Sequence, residues 1–484
     1  MRTSLTHPLQ IATVEVGPGL GRIGITLCPG KQQHGAATGA WARDLGLDLD
    51  AIERWGAAAV LTLIDEHEIA QLGIDGLRAE VEARHMAWRH VPLRDGGVPG
   101  ANDLGPWWAT SHHHLLPLLR DGFSVLVHCK GGLGRAGMMA ADLMVQLGVD
   151  ADRAMALVRE ARPGAIENRG QEIRVMQVRG EVEWLPDRSE AEIADRAMGA
   201  LLGLAVGDAL GTTLEFCARD SQPRLTDMAG GGPFALKAGE WTDDTAMALA
   251  LMDSLNADPQ LDETDLMRRF VSWHETGAYS CTGTCFDIGL ATRSALQRYK
   301  RTGQPLAGST DPMSAGNGSL MRLAPVAIHH WQDRSGLRDV AARQSRTTHA
   351  APEAVDACVA FAEVLADAIA GVPRSQVLRP GDYPYAGQIG PIMAGSWRGK
   401  RRSEIHSSGY VAHSLEAALW CVGRTSSFAD AVCLAANLGE DADTTAAITG
   451  QLAGALYGAQ VIPAGWLTKL AWRERIERMA RAPR

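Results

Sequence analysis

Apolar positions fall into two textures along the chain. In the first, short uninterrupted apolar runs at 60–64 (VLTLI) and 124–127 (SVLV) predict buried strands, and the stretches 138–147 and 151–160 predict helices beside them. Strands and helices interleaved in this way predict an α/β sheet domain. From Ile193 onward alanine and leucine dominate and strand-like runs are scarce. Helices are expected at 198–206, 246–255, 354–369, 415–421 and 445–457, so this second part should be nearly all α. Between the two lies the polar run 186–192 (PDRSEAE), which reads as a linker. Two domains are therefore expected, 1–185 and 193–484.

Two helical segments carry glycine at every fourth residue: Gly199, Gly203, Gly207 and Gly211 in one, Gly450, Gly454 and Gly458 in the other. Residues four apart share a helix face. Glycine destabilises a helix, so such a stripe calls for a compensating contact. Close approach of two backbones supplies one, and both helices are expected at the centre of the second domain. Asp208 and the shortness of the apolar run exclude the membrane form of this pattern.

Length agrees with two domains, since 484 residues exceed one ordinary core. A net charge of −9 argues against a general nucleic-acid binder, which would carry a basic surface. No apolar span is expected to cross a bilayer, and residues 1–10 do not read as a secretion signal. The eight cysteines are scattered and only Cys281 and Cys285 are close, so neither a disulfide scaffold nor a zinc site is expected. A cytoplasmic protein with reduced thiols is the simpler reading. The run His112-His113-His114 has no acidic partner nearby in sequence and is read as part of a helix, not a metal site.

Residues 128–137 read His-Cys-Lys-Gly-Gly-Leu-Gly-Arg-Ala-Gly, after a strand run and before a helix. Glycines let successive N–H groups turn inward as a nest for an anion, and the following helix adds its positive end. Both effects lower a thiol pKa, which suits Cys129 as a nucleophile. The planar fork of Arg135 suits two phosphate oxygens. This stretch resembles the dual-specificity and protein-tyrosine phosphatases, most of all the kinase-associated group, over roughly residues 20–180. The resemblance implies a phosphate loop of Lys130, Gly131, Gly132, Leu133, Gly134 and Arg135, a general acid at Asp95, and a water-positioning Gln171. One position departs: the family usually has Ser or Thr after the arginine, and here it is Ala136. That leaves room for slow turnover, or for a domain that only binds phosphorylated targets.

The second part holds two acidic motifs, Thr242-Asp243-Asp244-Thr245 and Glu440-Asp441-Ala442-Asp443-Thr444, each just before a predicted helix. Each alone fits helix N-capping. Two clusters of adjacent carboxylates also fit a cation, because they repel one another without it, and all-oxygen ligands select Mg²⁺ or Mn²⁺. Together with Gly207-Asp208-Ala209-Leu210-Gly211, Glu215 and Gly316-Asn317-Gly318-Ser319, they resemble the ADP-ribosylglycohydrolases through about residues 195–470. The resemblance implies an all-α fold and two Mg²⁺ (or Mn²⁺) held by Thr242, Asp243, Asp244, Asp441, Asp443 and Thr444. It implies Glu215 near the scissile ribose, and ADP-ribose against Gly316, Asn317, Gly318, Ser319, Asp287, His349 and Tyr410. The joint expectation is a bifunctional hydrolase that releases ADP-ribose from a modified target and hydrolyses a phosphomonoester.

Overall fold

The computed structural model describes residues 1–35, 39–180, 185–382 and 384–481, and leaves out the side chains of 101–103. The chain divides into two compact units, Met1–Glu183 with Gly423–Ser426, and Trp184–Val422 with Ser427–Arg484. Residue 484, the expected end of the second domain, lies outside the described residues.

The first unit is built on a five-stranded sheet in the order Ala12–Glu15, Arg22–Thr26, Ser124–His128, Ala57–Thr62, Ala87–His90. Only the first pair is antiparallel. Both predicted strands are present, and every residue of Ser124–His128 and Ala57–Thr62 is buried, as in a sheet covered on both faces. His128 pairs with Thr26 on one side and Thr62 on the other, so the central strand delivers Cys129 to the carboxyl edge of the sheet. The helix Gly134–Gln146 begins directly after that loop and is buried throughout. The three histidines lie in a short π-helical turn, Ser111–Leu115, within a longer helical segment.

The second unit is helical, and the glycine stripes explain its centre. Helix Glu190–Gly211 and helix Ala442–Tyr457 run antiparallel in direct backbone contact. A Cβ placed on Gly199, Gly203 or Gly207 would lie 2.3, 2.1 or 2.1 Å from the carbonyl oxygens of Gly454, Gly450 and Ala446. Helices Asp243–Ala257, Pro352–Ile369 and Phe428–Ala436 pack around this pair. The polar run 186–192 does not stay a linker to its end. Ser189 caps the first helix by accepting from the Glu192 amide, and Glu190 and Glu192 occupy its first turn, where acidic side chains favour the positive helix end.

Contrary to the expectation from hydropathy, one helix, Glu190–Leu214, is long and apolar enough to cross a membrane. Its apolar window is 89% buried within the fold, so a core position accounts for its composition.

Candidate active sites

In the first unit Cys129 is 3% exposed, and its Sγ accepts from the Gly132 amide at 3.3 Å. Gly132 adopts φ +68°, and a Cβ there would meet the Thr26 carbonyl at 2.4 Å, so the loop requires glycine at that point. His128 beside the cysteine bonds Thr62 Oγ1 through Nε2 at 2.8 Å, and burial pushes its pKa down to about 4, which keeps the ring neutral. Arg162 Nε and Nη2 donate to the carbonyls of Gly132 and Gly131 at 3.0 and 3.3 Å.

Arg135 is buried, and its fork is occupied by protein. Nη1 donates to Glu68 Oε2 at 2.5 Å and to the Leu93 carbonyl at 2.7 Å. Nη2 donates to Glu68 Oε1 at 3.1 Å and to Asp95 Oδ1 at 3.0 Å. Glu68 was not singled out from sequence; it fixes the plane of the guanidinium, and Lys130 Nζ lies 3.8 Å from it. Asp95 does reach the loop, in a turn where Gly97 N donates to the Arg94 carbonyl, but it rests on the Arg135 Nη2 that a phosphate oxygen would use. Its side chain is 76% exposed, so little holds it there beyond that ion pair. Gln171 is fully buried, and its Nε2, beside Gly134, has no hydrogen-bond partner among the described residues. Ala136 is also fully buried in the helix.

In the second unit both acidic motifs form the first turns of helices, at Asp243–Ala257 and Ala442–Tyr457. Neither Thr242 nor Asp441 caps its own helix with its side chain. The caps come from elsewhere. Asp208, inside the glycine helix, accepts from the amides of Thr242 and Thr245 at 2.9 and 3.0 Å and from both their hydroxyls. Glu215 Oε2 accepts from the amides of Ala442 and Asp443 at 2.7 and 3.3 Å. This frees the motif side chains to face one another. Thr242 Oγ1 lies 3.4 Å from both Asp244 and Asp443, and Thr444 Oγ1 donates to Asp244 Oδ2 at 3.2 Å. Carboxylate oxygens of Glu215, Asp441 and Asp443 lie within 4.8 Å of one another.

This cluster is acidic beyond what hydrogen bonds balance. Asp208, Glu215, Asp243, Asp244, Asp287 and Asp441 all have carboxyl pKa values raised above the usual range. Burial is the largest cause at each. Repulsion from Asp443 comes next at all but Asp244, where Asp208 precedes it. Asp244 Oδ1 is buried with no hydrogen-bond partner among the described residues. An orphaned carboxylate oxygen among mutually repelling acids and two threonine hydroxyls fits a hard divalent cation.

Glu215, Asp243, Asp287, Asp441, Asp443 and Thr444 line a cavity of about 460 Å³. Of the expected ligand contacts, Gly316, Asn317, Gly318, His349 and Asp287 line it. Asn317 Nδ2 donates to Asp441 Oδ2 at 2.6 Å, tying the glycine loop to the acidic motif. The His349 ring fills the space that a Cβ on Gly318 would need, 2.7 Å away, and burial pushes its pKa down to about 3, so it is neutral. The hydroxyls of two other expected contacts bond protein groups, although the Tyr410 backbone still pairs with Gly316. The Ser319 hydroxyl is buried against Ser345 Oγ at 2.9 Å, and Tyr410 turns its hydroxyl to Glu353 Oε2 at 2.7 Å. Neither lines the cavity. In a tight glycine turn, neighbours in sequence point in different directions, which motif spacing does not encode.

The comparisons with known proteins agree with this division. The ADP-ribosylglycohydrolase family model matches residues 189–483. A model described as the DSP-PTPase phosphatase domain of Swiss Army Knife proteins matches residues 109–175. The chain is 46% identical over 301 residues to an ADP-ribosylarginine hydrolase Tri1 of Pseudomonas putida (strain GB-1), covering 61% of this chain and 81% of that protein. It is 34% identical over 293 residues to the ADP-ribosyl-[dinitrogen reductase] glycohydrolase of Rhodospirillum rubrum, covering 57% and 91%. A solved structure described as an ADP-ribosylglycohydrolase-related protein complex aligns with a TM-score of 0.52 at 39% identity, over 60% of this chain and 97% of that one. With paired acidic motifs lining a helical cavity and a family match over most of its length, the chain belongs to the ADP-ribosylglycohydrolase family, and it carries a phosphatase-type domain ahead of that fold.

Proposed function

We propose that the second domain removes ADP-ribose from arginine side chains of a modified protein, using divalent cations. We further propose that the first domain hydrolyses a phosphomonoester through Cys129. The observation that carries the first reading is the crowded carboxylate cluster, centred on Asp443, lining the cavity. The arginine linkage rests on relatives at 46% and 47% identity that are ADP-ribosylarginine hydrolases.

Thr242, Asp243, Asp244, Asp441, Asp443 and Thr444 would hold two Mg²⁺ or Mn²⁺. Bound cations of this class hold sugar hydroxyls and polarise a water or the leaving group. Rupture of the bond at the anomeric carbon develops oxocarbenium character. The Gly316–Gly318 loop, braced by Asn317 on Asp441, receives the diphosphate, and the neutral His349 packs beneath it without adding charge. Glu215, fixed by the Ala442 and Asp443 amides, orients the substrate or passes a proton to the departing nitrogen. The test is release of free ADP-ribose from peptides modified at arginine and at serine by the full-length protein. Release from serine alone would overturn the proposed linkage.

For the first domain, substrate takes the Arg135 Nη2 that Asp95 occupies, which frees Asp95 to take a proton from solvent and pass it to the leaving alcohol oxygen. A binding-only reading is favoured by one observation: the residue after Arg135 is Ala136, which carries no hydroxyl. The two readings separate by mutation. Cys129→Ser is expected to abolish hydrolysis of an aryl phosphate. Ala136→Ser is expected to raise turnover about a hundredfold, the lower end for one proton-handling group. A domain that only binds phosphate would show neither change.

A further inference from the structure

The mouth of the glycohydrolase cavity carries an aromatic group that the chemistry above does not use. Phe216 follows Glu215 directly, lines the cavity and is 68% exposed. It sits at φ +59°, a left-handed conformation unusual for a bulky residue. Its backbone is pinned: the Phe216 amide donates to the Glu440 carbonyl, and the Glu440 amide to the Cys217 carbonyl, both at 2.7 Å. Glu440 is itself left-handed, at φ +58°. Strain held this firmly beside a site points to a role for the side chain it aims.

Two more rings buttress it. Phe234 packs edge-on to Phe216 at 6.2 Å, and Phe286 lies 5.4 Å from Phe234. They come from distant segments of a chain with only 7 phenylalanines, and Phe286 immediately precedes Asp287, another cavity residue in a left-handed conformation. Gly316–Gly318 and His349 bound the cavity through other segments of the chain, and carboxylates of the cluster line it. Phe216 is thus a flat, solvent-facing ring next to the cluster where the bond is cut. The part of the substrate that must remain in solvent there is the protein-borne acceptor.

We propose that Phe216, supported by Phe234 and Phe286, is the acceptor subsite, on which the planar guanidinium of the modified arginine stacks. The proposal rests on the arginine reading above. A guanidinium cation is attracted to the face of an aromatic ring, and the acidic cavity next to it favours positive charge. An uncharged acceptor such as a serine-linked oxygen gains neither term.

Phe216→Asn removes the ring while keeping a residue that tolerates the left-handed backbone. Phe216→Trp restores a ring. With metal-loaded full-length protein and an arginine-modified peptide, Phe216→Asn is expected to raise KM about fivefold, the scale of a cation–π contact at an exposed site, with kcat within about twofold. Affinity for free ADP-ribose, measured by calorimetry, should stay within about twofold, and Phe216→Trp should recover the wild-type KM. Unchanged KM in Phe216→Asn overturns the subsite. An equal loss of ADP-ribose affinity also overturns it, because the ring would then hold the nucleotide. Wild-type protein inactive on the arginine peptide would instead reject the arginine reading, and this subsite with it.

Discussion

Asp443→Ala is expected to cut release of ADP-ribose by on the order of 10²- to 10³-fold, the scale at which one preorganised charge-stabilising group contributes. The choice of Asp443 follows from the electrostatics. Its charge is the leading neighbour effect that raises Asp208, Glu215, Asp243, Asp287 and Asp441. Its carboxylate also lies within 4.8 Å of those of Glu215 and Asp441 and 3.4 Å from Thr242 Oγ1, among the candidate ligands of a cation. Chelation should abolish activity in the wild type, and Mg²⁺ or Mn²⁺ should restore it. A second readout avoids relying on activity. Added metal should raise the Tm of the wild-type second domain, since a ligand that binds only the folded state stabilises it. That shift should be lost in the variant. In chelator the order changes: removing Asp443 relieves repulsion among buried acids, so the metal-free variant should melt no lower than the metal-free wild type. Full activity in chelator, or an equal metal-induced Tm shift in both proteins, would refute the site.

The largest effect on stability is expected at the crossing of the glycine helices. A Cβ on Gly203 would lie 2.1 Å from the Gly450 carbonyl oxygen, and one on Gly450 would lie 2.0 Å from that of Gly203. Both obstacles are main chain in buried helices, so neither can turn aside. Gly203→Val must separate the two helices. Overpacking commonly costs 1–3 kcal/mol where side chains can shift; here the strain falls on backbone, and a loss of about 4 kcal/mol or more is expected. Thermal melting followed by circular dichroism would show loss of the second domain's transition, with the first domain's sheet signal retained. Gly465→Ala is the control, because a Cβ there meets nothing within 4 Å at an ordinary φ. A Gly203→Val protein that melts like the control would show that the helices do not depend on this contact.

The parts of the fold that were legible in sequence are those written locally. The run SVLV, the cysteine, the glycine loop and the arginine lie in order, and the stripe of every fourth residue announces a helix face. Glu68 was not legible. It lies 67 positions before Arg135, in a helix whose sequence carries no mark of the pairing. The helix caps misled in a useful way. Thr and Asp before a helix are good local caps, so Thr242 and Asp441 invited that reading. The fold gives those amides to Asp208 and Glu215 instead, and only this tertiary exchange leaves the motif side chains free for other work. The bonds of Ser319 to Ser345 and of Tyr410 to Glu353 were not legible for a related reason: proximity in sequence fixes position, and the local turn fixes direction.

The exchange of caps also sets a dimension. Asp208 anchors the start of one acidic helix, and Glu215 anchors the start of the other. Both belong to one short stretch that ends the glycine helix and passes through the single turn Thr212–Leu214. The gap between the two acidic motifs is thereby gauged by a length of main chain, not by the flexible reach of side chains. One residue inserted in that stretch would rotate Glu215 by about 100° relative to Asp208, and the two motifs would lose their common ruler.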